Sequence, residues 1–127
     1  MNHLEHAHAL RASVDVHYNC CQSVLVPFAK EMGLSEEQAY TLGAHFGSGI
    51  RHGSACGAFA GAMMVLGALG YDDKQASALI RQFKADHGDT ACAVLLKSSV
   101  ERGIPRKDHC DGLVYEMVET LDRIIHS

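Results

Sequence analysis

Five cysteines carry the chemistry this sequence could perform: Cys20, Cys21, Cys56, Cys92 and Cys110. Each follows a residue type that starts helices. Cys20 and Cys21 follow Asn19, Cys56 follows Ser54, Cys92 follows Asp89, and Cys110 follows Asp108. On this reading every thiol falls in the first turn of a helix. Free backbone N–H groups and the positive end of the helix dipole favour thiolate there. Thiolate is the form that binds metal, attacks disulfides and undergoes oxidation. The plainer alternative is that a free cysteine is a small buried hydrophobe, and any one of the five can be that. The sequence contains no Cys-x-x-Cys. A zinc knuckle, a thioredoxin-type dithiol and a c-type haem attachment are therefore not indicated. A shared site has to be assembled by tertiary contact between distant helices.

Other chemistry-bearing residues are weaker candidates. Gly47-x-Gly49-x-x-x-Gly53 precedes a helix and could cradle an anion, with Arg51 as counter-charge. No strand precedes it and no Gly-Lys-Ser/Thr follows, so the expectation is a tight connection between packed helices rather than a nucleotide site. His52 and His109 lie near Cys56 and Cys110, where an imidazole could ligate metal or activate a thiol. The commoner outcome for such histidines is a solvated loop. Glu116, Glu119 and Asp122 read as the wet face of a helix. No Ser/His/Asp arrangement or carboxylate pair emerges, and no catalytic residue is assigned.

The elements that must position these side chains are helical nearly throughout. Apolar residues recur at helical spacing, and the alternation expected of strands is missing. The pattern predicts helices over 3–17 and 19–33, the second kinked by Pro27. A capping box at Ser35 opens a third that reaches Phe46. A fourth spans 54–69 and a fifth, capped by Asp72, runs to His87. A sixth opens at Asp89 and ends near Gly103, and a last one starts at Asp108. The fold class expected is all-α, a single compact bundle of about seven short helices.

The fourth helix is apolar on every side and rich in small residues, which suits a central buried helix. Gly57 and Gly61 would let neighbouring backbones approach and so shape the site. The same small residues make a homodimer conceivable. At this length the apolar run is too short to span a membrane, so no membrane role is expected.

The 127 residues point to one domain over 1–127, large enough to fold without disulfides or metal. Eleven Lys and Arg stand against 15 Asp and Glu, for a formal charge of -4 with no basic block. That argues against nucleic acid as a partner. The N-terminus lacks the basic and apolar regions of a secretory signal, and an odd cysteine count suits a disulfide scaffold poorly. A cytoplasmic protein with reduced thiols is expected.

A family resemblance runs along most of the chain. Asn19-Cys20-Cys21-Gln22-Ser23-Val24-Leu25, Phe46-Gly47-Ser48-Gly49, Cys56-Gly57-Ala58-Phe59-Ala60-Gly61, His87-Gly88-Asp89-Thr90-Ala91-Cys92 and Cys110-Asp111-Gly112-Leu113-Val114 come in order. Together they resemble the bacterial and archaeal C_GCAxxG_C_C family, described as redox-active. The resemblance maps the family's cysteines to Cys20, Cys56, Cys92 and Cys110 and leaves Cys21 as an extra. One departure is visible, since the order here is Cys56-Gly57-Ala58 where the family's name has Gly-Cys-Ala. The family is similar to the non-haem part of split-Soret cytochromes, where cysteines are associated with an iron–sulfur site. The resemblance therefore implies an iron–sulfur cluster or a thiol/disulfide couple, serving an electron-transfer partner the sequence does not name. A helical interaction module and a structural zinc-binding protein are the alternatives.

Overall fold

A computed structural model describes residues 1–127 as seven α-helices with no named strand. These are α1 (His3–Ala12), α2 (Cys20–Leu25), α3 (Glu36–Leu42), α4 (Gly57–Ala68), α5 (Asp73–His87), α6 (Cys92–Glu101) and α7 (Arg106–Ile125). The all-α expectation holds, with one α-helix for each predicted segment. No helix is long and apolar enough to cross a membrane.

Local chemistry sets the boundaries, and several differ from the sequence expectation. α1 stops at Ala12 because residues 13–17 have nothing to pack on. Val14, apolar and in register, is 96% exposed, and a short helix gains its stability from a buried face. α2 ends at Leu25, where the chain tightens into a 3-10 turn over Val26–Phe28 around Pro27. The proline does not kink a long helix here; it ends a short one. α3 keeps its capping box, with Ser35 Oγ accepting from the Gln38 amide and Gln38 Oε1 accepting from the Ser35 amide. It closes at Leu42 instead of Phe46. α5 starts on Asp72 as expected.

Three starts moved. α4 begins at Gly57 rather than Ser54, since Ala55 is drawn into an isolated antiparallel bridge with Ala91. α6 begins at Cys92 rather than Asp89. The Asp89 carboxylate accepts from the Thr90 and Ala91 amides at 2.7 and 2.9 Å, which turns the chain before the helix instead of capping it. α7 begins at Arg106, directly after Pro105, so Asp108 is already inside it. Proline in that place is ready for a helix to follow because its ring presets φ.

α4 runs between α2 and α7, and all three pack on one another, while α1 lies along α7. The core they enclose holds Phe28, Leu25, Val65, Leu66, Val114, Val118 and Leu121, all nearly inaccessible. Phe83 from α5 reaches Phe59 of α4 with ring centroids 4.9 Å apart. Burying each such side chain contributes about 1.5–3 kcal/mol.

The approach of α2 to α4 is closer than any side chain would allow. A Cβ at Gly57 would meet the Phe46 carbonyl oxygen at 2.8 Å and Cys20 Cβ at 3.2 Å. One at Gly61 would lie 3.1 Å from the Cys21 carbonyl oxygen and from Val24 Cβ. These glycines face α2 of the same chain, so the small-residue stripe is spent on internal packing.

Candidate functional site

The start of α2 is fastened on both sides. Asn19 Oδ1 accepts from the Gln22 amide, and Gln22 Oε1 accepts from the Asn19 amide at 2.9 Å. The same two side chains reach outward to the end of α3. Asn19 Nδ2 donates to the Gly43 carbonyl at 2.9 Å and Gln22 Nε2 to the Tyr40 carbonyl at 2.8 Å. The two cysteines between them therefore sit in a rigid frame. Cys21 points into the core, fully buried, its sulfur 4.0 Å from Met64 Sδ. Cys20 points toward α4 and α7.

Cys56 and Cys92 are placed by backbone. They follow the bridged residues Ala55 and Ala91, and each gives its amide to the opposite segment. The Cys56 N–H donates to the Thr90 carbonyl at 2.7 Å, and the Cys92 N–H donates to the Ser54 carbonyl at 2.6 Å. One bridge thus sets the starts of α4 and α6 side by side. A single bridge has no strand signature, so nothing in the residue pattern announced it.

Over this junction lies the Gly47–Gly53 loop. Ser48, Gly49, Ile50 and Arg51 all take positive φ, of 52, 62, 55 and 66°. Only one of the four is glycine. A left-handed residue other than glycine costs about 1–2 kcal/mol, so surrounding contacts must hold the turn. The Ser54 amide donates to the Gly49 carbonyl at 2.8 Å, and the Arg106 guanidinium donates to Ser48 Oγ at 3.0 Å. Gly49 itself admits nothing larger, since a Cβ there would sit 2.7 Å from Cys92 Cβ. The expected tight connection is present, in a strained form. Arg51 and His52 are exposed on it, with Arg51 hydrogen-bonded to His45 at 2.9 Å. Neither reaches the sulfurs.

Cys20, Cys56, Cys92 and Cys110 all line one small chamber of about 30 Å³, closed by Ser48, Gly57, Leu95, Arg106, His109 and Leu113. Four thiols scattered over three-quarters of the chain meet there. The donor set is that of an iron–sulfur or zinc centre. The space is not: 30 Å³ admits one or two water-sized particles, far less than a multi-iron cluster. No group of three His, Cys, Asp or Glu side chains stands in metal-holding geometry either. In this arrangement the residues do not fit such a group.

The protonation pattern differs from one thiolate per helix start. Burial pushes Cys21 up to about 12 and Cys56 up to about 11. The amides of Phe59 and Ala58 pull Cys56 down, but burial outweighs them. Cys92 also rises, through burial and then the neighbouring Cys110. Desolvation of a buried thiolate exceeds the help of one helix end, which is why the sequence expectation fails at these positions. Cys110 moves the other way. A hydrogen bond from the Cys20 thiol holds it below the ordinary thiol range against the opposing effect of burial, with Arg11 and Arg106 adding to it. Cys20 is correspondingly raised, first by that hydrogen bond and then by burial. Cys20 keeps the proton because it is the deeper of the two, while Cys110 faces two guanidinium groups.

Cys110 sits in the second turn of α7, not the first. It is therefore charge and a partner thiol, rather than a helix end, that favour its ionised form. The sequence reading missed Arg11 and Arg106. Arg106 carried a legible signal, because it lies four residues before Cys110 on one helix face. Arg11 did not, being about a hundred residues away and drawn in by Asp111, whose Oδ1 accepts from Arg11 Nε at 2.6 Å. His109 does reach the chamber wall. Burial pushes its imidazole pKa down, with Arg102 and His87 adding to that, so it stands there neutral.

The C_GCAxxG_C_C family profile, described as a putative redox-active protein, matches residues 18–124. The chain belongs to this family. No curated protein and no solved structure matches it. The profile spans all five cysteines of this C_GCAxxG_C_C protein, together with the left-handed loop and α4. It leaves out all of α1, including Arg11, so one of the two guanidinium groups that favour the Cys110 thiolate lies outside the matched segment.

Proposed function

We propose that this protein is a thiol–disulfide redox protein whose working pair is Cys110 and Cys20. The observation that carries the reading is that Cys20 and Cys110 line one chamber and that Cys110, alone of the four, also opens onto a cleft beside Arg11 and Arg106. Cys110 is the thiol whose ionised form is favoured, and Cys20, on the same chamber, is the protonated partner. Cys110 thiolate attacks one sulfur of a substrate disulfide, and a thiolate leaves. The departing thiolate takes the proton of Cys20. Cys20 then attacks Cys110 Sγ, breaking the mixed disulfide and releasing the second substrate thiolate. The protein loses two electrons and gains one internal disulfide, and the substrate gains two electrons and becomes two thiol groups. Run backwards, the reduced pair is restored by an external dithiol. Such a couple suits a reducing compartment such as the cytoplasm.

The four-thiol donor set supports a second reading, an iron–sulfur site that forms when the chamber opens. Both are separated by one preparation. Protein purified without oxygen is assayed for iron, acid-labile sulfide and visible absorbance, and then oxidised with a small disulfide and digested. A Cys20–Cys110 peptide without iron or sulfide is expected. Stoichiometric iron and sulfide, or a disulfide that always excludes Cys110, overturns the dithiol reading.

A further inference from the structure

Cys110 has a second face. Besides the sulfur chamber, it lines an open cleft of about 490 Å³ with Leu10, Arg11, Ser13, His17, Tyr18, Arg106 and Lys107. Cys110 and Arg106 alone belong to both cavities. A substrate that reaches Cys110 from solvent has to do so through this cleft.

The cleft is cationic in a protein whose formal charge is -4. Arg11, Arg106 and Lys107 converge on it, and the one carboxylate beside them is Asp111. Both Asp111 oxygens are already used, Oδ1 by Arg11 Nε at 2.6 Å and Oδ2 by Lys107 Nζ at 2.8 Å. Arg106 has no carboxylate; it donates to Ser48 Oγ at 3.0 Å and lines both cavities beside Cys110. Three positive groups against one negative leave a surplus even after Cys110 ionises. A volume of this size is that of a small-molecule pocket. Protein disulfides need a broad exposed face, whereas Cys110 lies at the bottom of a recess between α1, the 13–18 segment and the start of α7.

We propose that this cleft is the substrate site and that it selects an anionic low-molecular-weight disulfide, whose negative groups rest among Arg11, Arg106 and Lys107 while one sulfur meets Cys110. The inference rests on the dithiol reading above and adds the class of molecule that the pair reduces. Ser13, His17 and the exposed rim of residues 13–17 supply hydrogen-bonding groups without adding negative charge, apart from Asp15, which does not line the cleft.

The test compares rates of protein thiol loss for the full chain, reduced beforehand, with three disulfides of small size. Oxidised glutathione is the anionic probe, 2-hydroxyethyl disulfide the neutral one and cystamine the cationic one. Lys107 is the variant of choice, because its side chain is 65% exposed and it lies outside the chamber. Lys107→Glu is expected to lower the ratio of the anionic to the neutral probe's rate about tenfold at low salt. In the wild type, added salt slows the anionic probe, speeds the cationic one and spares the neutral one. Equal effects on all three, or no salt dependence, overturn the cleft as an anion-selective site while leaving the dithiol pair in place. If none of the probes oxidises Cys110, the underlying reading falls instead.

Discussion

The two halves of the sulfur chamber hold the same functional group by different means. On one wall, Cys20 and Cys110 project from α2 and α7, and side-chain charge governs them. Arg11 and Arg106 approach, one proton is shared, and the outer sulfur is open to a cleft. On the other wall, Cys56 and Cys92 hang from a backbone bridge, their amides already spent on Thr90 and Ser54. Burial governs these, and both thiols stay protonated. A helix start is thus a weak instruction for a cysteine. What surrounds the sulfur beyond its own helix decides whether it becomes a nucleophile or a wall.

Gly57 is where the walls meet, and disturbing it has the largest expected effect. A methyl there runs into the Phe46 carbonyl at 2.8 Å, and backbone cannot swing aside as a side-chain end can. Gly57→Ala is expected to destabilise by about 1–3 kcal/mol, even after the better helix propensity of alanine. A urea titration reads this as a lower midpoint with unchanged slope. An unchanged midpoint would mean that α2 and α4 do not approach as described.

Reactivity sharpens the contrast next. At pH 6 an ordinary thiol is almost wholly protonated, whereas Cys110 retains a large ionised fraction. Allowing for the weaker nucleophilicity of a more acidic thiol, alkylation of Cys110 is expected to run about tenfold faster than that of a free thiol. Peptide mapping after brief iodoacetamide treatment should find the label on Cys110 and none on Cys56. Cys92→Ser should leave that fast phase intact, and Cys20→Ala should slow it at pH 6 by removing the side-chain donor that favours the Cys110 thiolate. Equal labelling of both walls would erase the distinction between them.

The pH dependence of stability has opposite signs at Cys56 and Cys110. Cys56 is raised on folding to about 11, so its contribution is complete below the ordinary thiol value of about 8.5 and is lost as pH rises toward 11. Cys110 is lowered, so its contribution is complete above about 8.5 and is lost as pH falls through its folded value. Stability should fall between pH 8 and pH 10 as Cys56, Cys21, Cys20 and Cys92 all lose their contributions, and Cys56→Ala should make that fall shallower by about 1–2 kcal/mol, read from the urea midpoint. Cys110→Ser should flatten only the acidic limb. A reversed assignment of the limbs would contradict the protonation pattern.

Much of the architecture was legible because it rests on local signals. Asn19 with Gln22, Ser35 with Gln38, and Asp72 each announce a helix start, and the small residues of α4 announce its burial. The boundaries that failed were those set by distant partners. Ser54 and Asp89 resemble caps, but the bridge between Ala55 and Ala91 takes the backbone that would have formed those first turns. At the site, the cysteines were legible as a set by their types alone. Which of them would ionise was not, since Cys20 and Arg11 reach Cys110 only after α2 and α1 dock on α7.

The left-handed loop over the Cys92 wall gives the smallest and most local test. Ile50 sits at φ 55 and ψ 43°, where a β-branched side chain crowds its own backbone. Ile50→Gly removes that strain, about 1–2 kcal/mol, but glycine gives back about 0.5–1 kcal/mol through the freer unfolded chain. The side chain is 39% exposed, so part of its apolar contact is lost as well. The terms nearly cancel, and the net expectation is a stability change of less than about 1 kcal/mol, read from the urea midpoint. Gly49→Ala, one residue earlier, should destabilise by more than that, because the added Cβ meets Ser54 backbone at 2.5 Å. The pair of variants separates strain in the backbone from crowding against the bridge. Destabilisation by Ile50→Gly as large as that by Gly49→Ala would show that the loop is held by the Ile50 side chain, not by the contacts of Gly49 and Ser54 that fix the Cys92 wall.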